Sequence, residues 1–258
     1  MSAIDPAAPG QPKILFIHIA KTAGSSVVEF FRRRLPPGTI LSHGDFMQYS
    51  ASGPLPEHVF TKYQFISGHL GYQHLAPYLH RAYSFTFLRD PVERALSFFK
   101  FCLHPDMQRR FAVARAARDL GIDGFLNSRL PEVVEMLDNL QTWQLASMYW
   151  QADRECLAEN PDTEVLALAK KHLGKLSRVG LTETFDSDFQ RILSDLRISG
   201  SPMHILPTPE PLRREQLAPG TVQALRERLQ LDYQLYDFAK TLPSRTADSP
   251  VRAIDAGA

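Results

Sequence analysis

Cysteine is nearly missing: Cys102 and Cys156 are the only two in 258 residues. That is too few for a disulfide framework, and their separation matches no metal-ligand spacing. Both sit among apolar neighbours and are expected to be buried thiols. Long apolar runs are missing as well, since no stretch approaches the roughly 20 residues that span a bilayer. The N-terminus shows no charged segment followed by an apolar one, so no secretory signal is read and a cytoplasmic location is expected. An excess of either charge is also lacking. With 29 Lys+Arg against 28 Asp+Glu the formal net charge is +1, which argues against a general nucleic-acid or membrane-surface binder but allows a local basic cleft. No carboxylate pair and no histidine pair stands at ligand spacing, so no metal is expected.

What remains is an ordinary globular chain, 44% hydrophobic and long enough to bury a substantial core. Residues 1–12, rich in Ala, Pro and Gly, are expected to form a flexible arm, and residues 243–258 a disordered tail. Residues 13–242 then form one domain. Lys13–Ile19, Tyr63–Ser67 and Tyr83–Leu88 are short apolar runs typical of strands buried on both faces, with a fourth at Ser177–Leu181. Helices are expected after Gly24 and after Asp90, and at Phe111–Asp119, Val133–Tyr149, Thr163–His172, Phe185–Leu196 and Thr221–Lys240. Asp90 is placed to cap its helix, with Pro91 in the first turn. Strands feeding helices imply an α/β fold: a single P-loop-like domain with a mostly parallel central sheet flanked by helices and a helical C-terminal half. In such sheets ligands bind outside the C-terminal strand ends.

Two segments carry chemistry there. The first strand enters Ala20-Lys21-Thr22-Ala23-Gly24-Ser25-Ser26, a tight turn of small residues that opens a helix. Free amides of a first helical turn, together with the helix dipole, favour an anion. Small side chains at 23–25 let a phosphate approach, Thr22, Ser25 and Ser26 offer hydroxyls, and Lys21 adds positive charge. The order is not that of a Walker A loop, whose lysine follows the last glycine. In the second segment, Arg89 ends a strand and Ser97 lies two turns into the next helix, where a bidentate guanidinium and a hydroxyl can share a phosphate. Arg94 shares a face with Ser97, although a simple pairing with a nearby carboxylate would equally explain it.

Together, Ile17-His18-Ile19-Ala20-Lys21-Thr22-Ala23-Gly24-Ser25-Ser26 resembles the 5′-phosphosulfate loop of the carbohydrate sulfotransferases, particularly the heparan and uronyl 2-O-sulfotransferase group. Phe87 to Phe99 is similar to their 3′-phosphate motif, with the family's Arg and Ser falling on Arg89 and Ser97. Asp138-Asn139-Leu140-Gln141-Thr142 resembles a helical motif near the family's cleft, and Val179–Phe185 its late strand-to-helix segment. The likeness runs from Ile14 to Lys240. Ala20 stands where many members carry Pro, Trp143 where Arg is common, and Ser67 where the 2-O group tends to carry a second His. The last two changes bear on the acceptor.

The resemblance implies transfer of a sulfuryl group from 3′-phosphoadenosine 5′-phosphosulfate (PAPS), a co-substrate, to a hydroxyl of a small molecule or glycan. It places the general base on His69 and the leaving-group cation on Lys21, with Arg89 and Ser97 on the 3′-phosphate. Neither a metal, a nucleic acid nor a membrane is expected to take part. Among the other histidines, His18 is expected in the core and His43 in a polar loop that could meet the acceptor. Segments at 38–62, 104–132 and 198–215 are expected to be loops that shape the acceptor pocket. Two rival readings stand beside this one: a P-loop NTPase or small-molecule kinase, and a non-catalytic binder of adenosine phosphates or sulfated sugars.

Overall fold

The structure, a computed structural model, describes residues 12–42, 53–147, 162–205 and 212–242. The expected tail, all of the expected arm except Pro12, and both His43 and Cys156 lie outside these residues. Strand β1 (Lys13–Ile17) leads to α1 (Gly24–Arg32), β2 (Ile40–Leu41), α2 (Glu57–Lys62) and β3 (Phe65–Gly68). A single turn, α3 (Tyr72–Leu75), comes before β4 (Ala82–Leu88) and α4 (Pro91–Cys102). Next come α5 (Pro105–Arg110), α6 (Ala112–Asn127), α7 (Pro131–Leu137), α8 (Leu140–Ala146) and α9 (Asp162–Leu173). The chain then forms β5 (Arg178–Leu181), α10 (Phe185–Asp195), α11 (Pro219–Arg228) and α12 (Gln230–Thr241).

The five strands form a parallel sheet in the order β2-β3-β1-β4-β5. Alternate residues of β1 face opposite sides, as the pleat requires. Ile14 and Phe16 pack with Phe30 and Phe31 of α1 and Phe189 of α10. Leu15 and Ile17 pack with Val165 and Ala169 of α9 and Leu235 of α12. Every residue of β4 is buried, which is why these strands read as continuous apolar runs. A third apolar cluster joins α4, α6, α7 and α11 away from the sheet, around Phe99, Phe125 and Leu225. The α/β architecture and helical C-terminal half agree with the sequence reading.

Several expected elements change shape. The helix expected over 133–149 divides into α7 and α8 at Asp138 and Asn139, where Asn139 takes a left-handed backbone (φ 48°). Its Oδ1 accepts from the backbone N–H groups of Leu231 and Asp232, both 3.1 Å away, so the break lets one side chain fix the start of α12. The helix expected over 221–240 likewise divides into α11 and α12 at Leu229. Next to that break, Arg228 turns inward to pair with Asp138 and to donate to Leu126 O at 2.9 Å. Helix α6 runs to Asn127 through a non-helical Gly121 (φ 64°). Within the segments expected as loops, β2 is a strand and α2 and α5 are helical, while α6 contains the helix expected over 111–119 and extends it.

The order of strands also sets where a ligand can sit. The chain leaves β1, pairs β2 and β3 on one side, then crosses to β4 on the other. The crevice of such a sheet opens at this reversal, outside the C-terminal ends of the central strands. Lys21 follows β1, His69 follows β3 and Arg89 follows β4, so three adjacent strand ends deliver all three residues to one edge.

Candidate active site at the strand ends

The loop after β1 is held in an uncommon backbone shape. Lys21 (φ 71°) and Ala23 (φ 65°) are both left-handed, a conformation that costs an L-residue roughly 1–2 kcal/mol. Three sets of contacts hold it. Buried Thr22 donates from Oγ1 to Ile19 O at 2.9 Å, Arg89 Nη1 donates to Lys21 O at 3.3 Å, and Ala23 O accepts from Ser26 N and Val27 N at 3.0 and 3.3 Å. Helix α1 therefore begins at Gly24 with no side-chain cap and no acid in its first turn. Its positive end keeps its full partial charge for a ligand.

Gly24 is required by contact. A Cβ there would fall 1.8 Å from Nε2 of His18. The hydroxyls of the loop have different surroundings. Ser25 is exposed, Ser26 Oγ accepts from Ile205 N at 3.1 Å, and the Thr22 proton is engaged by Ile19 O. Thr22 thus shapes the loop through its side chain.

Lys21 and Arg89 are neighbours in a partly buried setting. Lys21 Nζ lies 4.4 Å from the centre of the exposed Phe101 ring, a cation–π contact. Burial lowers the Lys21 pKa, and the Arg89 charge lowers it further. Burial also lowers the Arg89 pKa, against the opposing pull of Glu183, Glu93 and Asp90. A polyanion held against both cations would offset both penalties.

The backbone of Arg89 is clamped by one buried amide. Gln141 Oε1 accepts from Arg89 N and Gln141 Nε2 donates to Arg89 O, each at 3.0 Å. Beyond it, Asp90 caps α4 by accepting from Val92 N and Glu93 N at 3.0 and 3.1 Å. Arg214 spans Asp90 and Glu93 at 3.1 and 3.2 Å. Ser97 is half-buried on α4. Arg94 does not belong to the site: it is fully buried, and its Nη2 donates to Met136 O and Leu137 O at 3.0 and 3.1 Å. Its charge acts on the buried Asp232.

His69 is oriented from behind. Its Nδ1 lies 2.8 Å from His18 O. A carbonyl can only accept, so the neutral ring carries its proton on Nδ1 and keeps a lone pair on Nε2. His18 departs from its expected place in the core. It is half-buried, with its ring stacked on Phe16 at 5.5 Å and 4.5 Å from the ring of His69. Because the same ring lies under Gly24, His18 joins the loop after β1 to the candidate base.

Gln144 completes the arrangement, donating from Nε2 to His18 O at 3.1 Å and to Leu70 O at 2.8 Å. The sequence reading placed Gln141 in a motif near the cleft but gave it no role, and it missed Gln144 and the role of His18. The available signal was two amides three residues apart in the apolar setting of α8, where a polar side chain must find partners.

Among the described residues, no group of three or more His, Cys, Asp or Glu could hold a metal ion, and no helix is long and apolar enough to cross a membrane. In sequence, residues 8–239 match the model of the Sulfotransferase family. No curated protein matches this chain. Among solved structures, mouse sulfotransferase SULT7A1 complexed with PAP is similar at 12% identity and a TM-score of 0.44, covering 94% of this chain and 91% of that one. A likeness that distant carries no argument of its own.

Proposed function

The chain belongs to the sulfotransferase family, and from that premise we propose that it moves a sulfuryl group from PAPS to an acceptor hydroxyl by in-line displacement. The observation that carries this reading is the meeting of three strand ends, where Arg89 donates to Lys21 O and His69 is oriented by His18 O. Those contacts support reading an anion loop, a second cation and a candidate base at one edge of the sheet.

In the proposed reaction the acceptor oxygen attacks sulfur from the side opposite the 5′-phosphate. His69 Nε2 takes the hydroxyl proton as the new O–S bond forms. The old S–O bond breaks, and its electron pair stays on the phosphate oxygen. Lys21 and the uncapped end of α1 stabilise that developing charge, in the manner of an oxyanion hole. Arg89, with Ser97 on the next helix, holds the 3′-phosphate, and 3′-phosphoadenosine 5′-phosphate (PAP) leaves as product. A carbohydrate acceptor is favoured by the resemblance of the motifs alone, and a cytoplasmic setting is proposed on the sequence.

The kinase alternative is disfavoured because the loop lysine precedes Gly24 by three residues, whereas a Walker A lysine follows its glycine. Calorimetric titration with PAP in the absence of magnesium tests the proposal. The wild type is expected to bind and Arg89→Ala to bind at least tenfold more weakly, since hydrogen bonds to charged groups contribute about 1.5–3 kcal/mol. A wild type that ignores PAP but binds ATP with magnesium would transfer the assignment to the kinase reading. PAP binding without sulfuryl transfer across a broad acceptor screen would favour the non-catalytic binder.

A further inference from the structure

Helix α8 contains two glutamines that are 0% and 1% exposed, Gln141 and Gln144, and a buried amide is costly unless its polar atoms are bonded. Each reaches a different strand end. Gln141 brackets Arg89 on both sides of one residue, N–H and C=O, so the direction in which the Arg89 side chain leaves the backbone is fixed. Gln144 Nε2 is shared between His18 O, the carbonyl that also takes the His69 Nδ1 proton, and Leu70 O, the carbonyl directly after His69. Its own Oε1 is buried and finds no hydrogen-bond partner among the described residues. A side chain present only to fill space would avoid that penalty by being leucine.

The helix that carries both amides is itself anchored. Buried Asp232 accepts from Thr142 N and Thr142 Oγ1, each at 2.8 Å, and from Gln141 N at 3.3 Å. This fixes the register of α8 on α12, so residues 141 and 144, three apart on one face, meet the sheet at a set height.

We infer that α8 is a positioning element with two separable tasks: Gln144 sets the orientation and tautomer of His69 through His18 O, and Gln141 seats Arg89 for the nucleotide. The inference rests on the assignment of His69 as base and Arg89 as nucleotide ligand. Neither glutamine touches reacting atoms. Each acts through the residue that it holds, and their effects are therefore expected to divide between two readouts.

The test uses the full chain with Gln144→Leu and Gln141→Leu, read by nitrogen-15 NMR of the His69 ring and by calorimetric titration with PAP. Gln144→Leu is expected to move the His69 ring from one tautomer to a mixture while PAP affinity stays within about twofold. Gln141→Leu is expected to weaken PAP by roughly tenfold and to leave the His69 signals in place. The inference is overturned if either variant moves both readouts together, or if neither moves its own. Should a leucine variant fail to fold, Gln144→Asn and Gln141→Asn carry the same test, because each keeps an amide one methylene too short to reach. A wild type that does not bind PAP overturns the donor reading and the Gln141 task with it. The His69 ring then decides the Gln144 task by itself.

Discussion

Helix α1 leaves β1 through a left-handed Ala23 with no side-chain cap among the described residues, whereas α4 leaves β4 through Asp90, whose carboxylate accepts from Val92 N and Glu93 N. One helix start is strained and open, and the other is relaxed and closed. An amide already bonded to a carboxylate cannot also bind a phosphate, and Asp90 together with Glu93 brings negative charge to that end. Anion binding beside β4 must therefore come from side chains, Arg89 and Ser97. Beside β1 it can come from the helix end itself, with Lys21 added. The two halves of the proposed nucleotide site would thus use different physics: a dipole with strained backbone on one side, and a clamped guanidinium on the other.

That contrast is open to attack, first at its most sensitive point. Lys21→Met is expected to lower turnover by roughly 10²–10³-fold, the usual cost of a lost oxyanion donor, in a sulfuryl-transfer assay with whatever acceptor a screen provides. It should not lower the melting temperature. The Lys21 pKa is lowered by burial, so the unfolded chain binds the proton more readily and the charged form opposes folding at neutral pH. For the same reason, kcat/KM should fall on the alkaline side below the ordinary lysine value of about 10.4, as the ammonium loses its proton. An alkaline limb unchanged in Lys21→Met would remove Lys21 from the reaction.

Next in size is Gly24→Ala, whose new methyl would overlap the His18 ring. Overpacking of this kind typically costs about 1–3 kcal/mol, measured from a denaturant midpoint, and PAP affinity should fall as the loop shifts. Unchanged stability and affinity would mean that the loop and the His18 ring are not tightly packed. A smaller loss, about 1 kcal/mol, is expected for Asp90→Ala, which removes a helix cap. PAP affinity should change far less there than in Arg89→Ala. An equal loss of affinity would show that the two helix starts do not divide the work as argued.

The smallest effect concerns Cys102. Burial pushes its thiol up to about 12, with the nearby Lys21 charge opposing. In a Cys156→Ser background the native protein should resist thiol reagents at pH 8 until it is unfolded. Rapid labelling of the folded protein would place that end of α4 in solvent.

Legibility in the sequence followed the range of the interactions. The strands other than β2, which fell in a segment expected as a loop, could be read because burial leaves continuous apolar runs, as from Tyr83 to Leu88. The loop could be read because its small residues, its lysine and its helix lie within a few positions of one another, and the Asp90 cap is equally local. His18 was misplaced because its partners come from far along the chain. Gln144, which shares its carbonyl, lies 126 residues away, and no pattern around Phe16-Ile17-His18 announces that contact. The breaks at Asn139 and Leu229 were missed for a similar reason. Each separates segments that are helical by pattern, and each is fixed by tertiary bonds, from Asn139 to α12 and from Arg228 to Asp138 and Leu126.

The central claim, that Arg89 holds the 3′-phosphate while the β1 loop holds the 5′ side, is tested most directly by a thermodynamic cycle. PAP and 5′-AMP differ only in the 3′-phosphate, and both are titrated against wild type and Arg89→Ala. The wild type is predicted to prefer PAP by about 10–100-fold, and Arg89→Ala to lose most of that preference while binding 5′-AMP nearly as before. A preference for PAP that survives intact in Arg89→Ala would contradict the account.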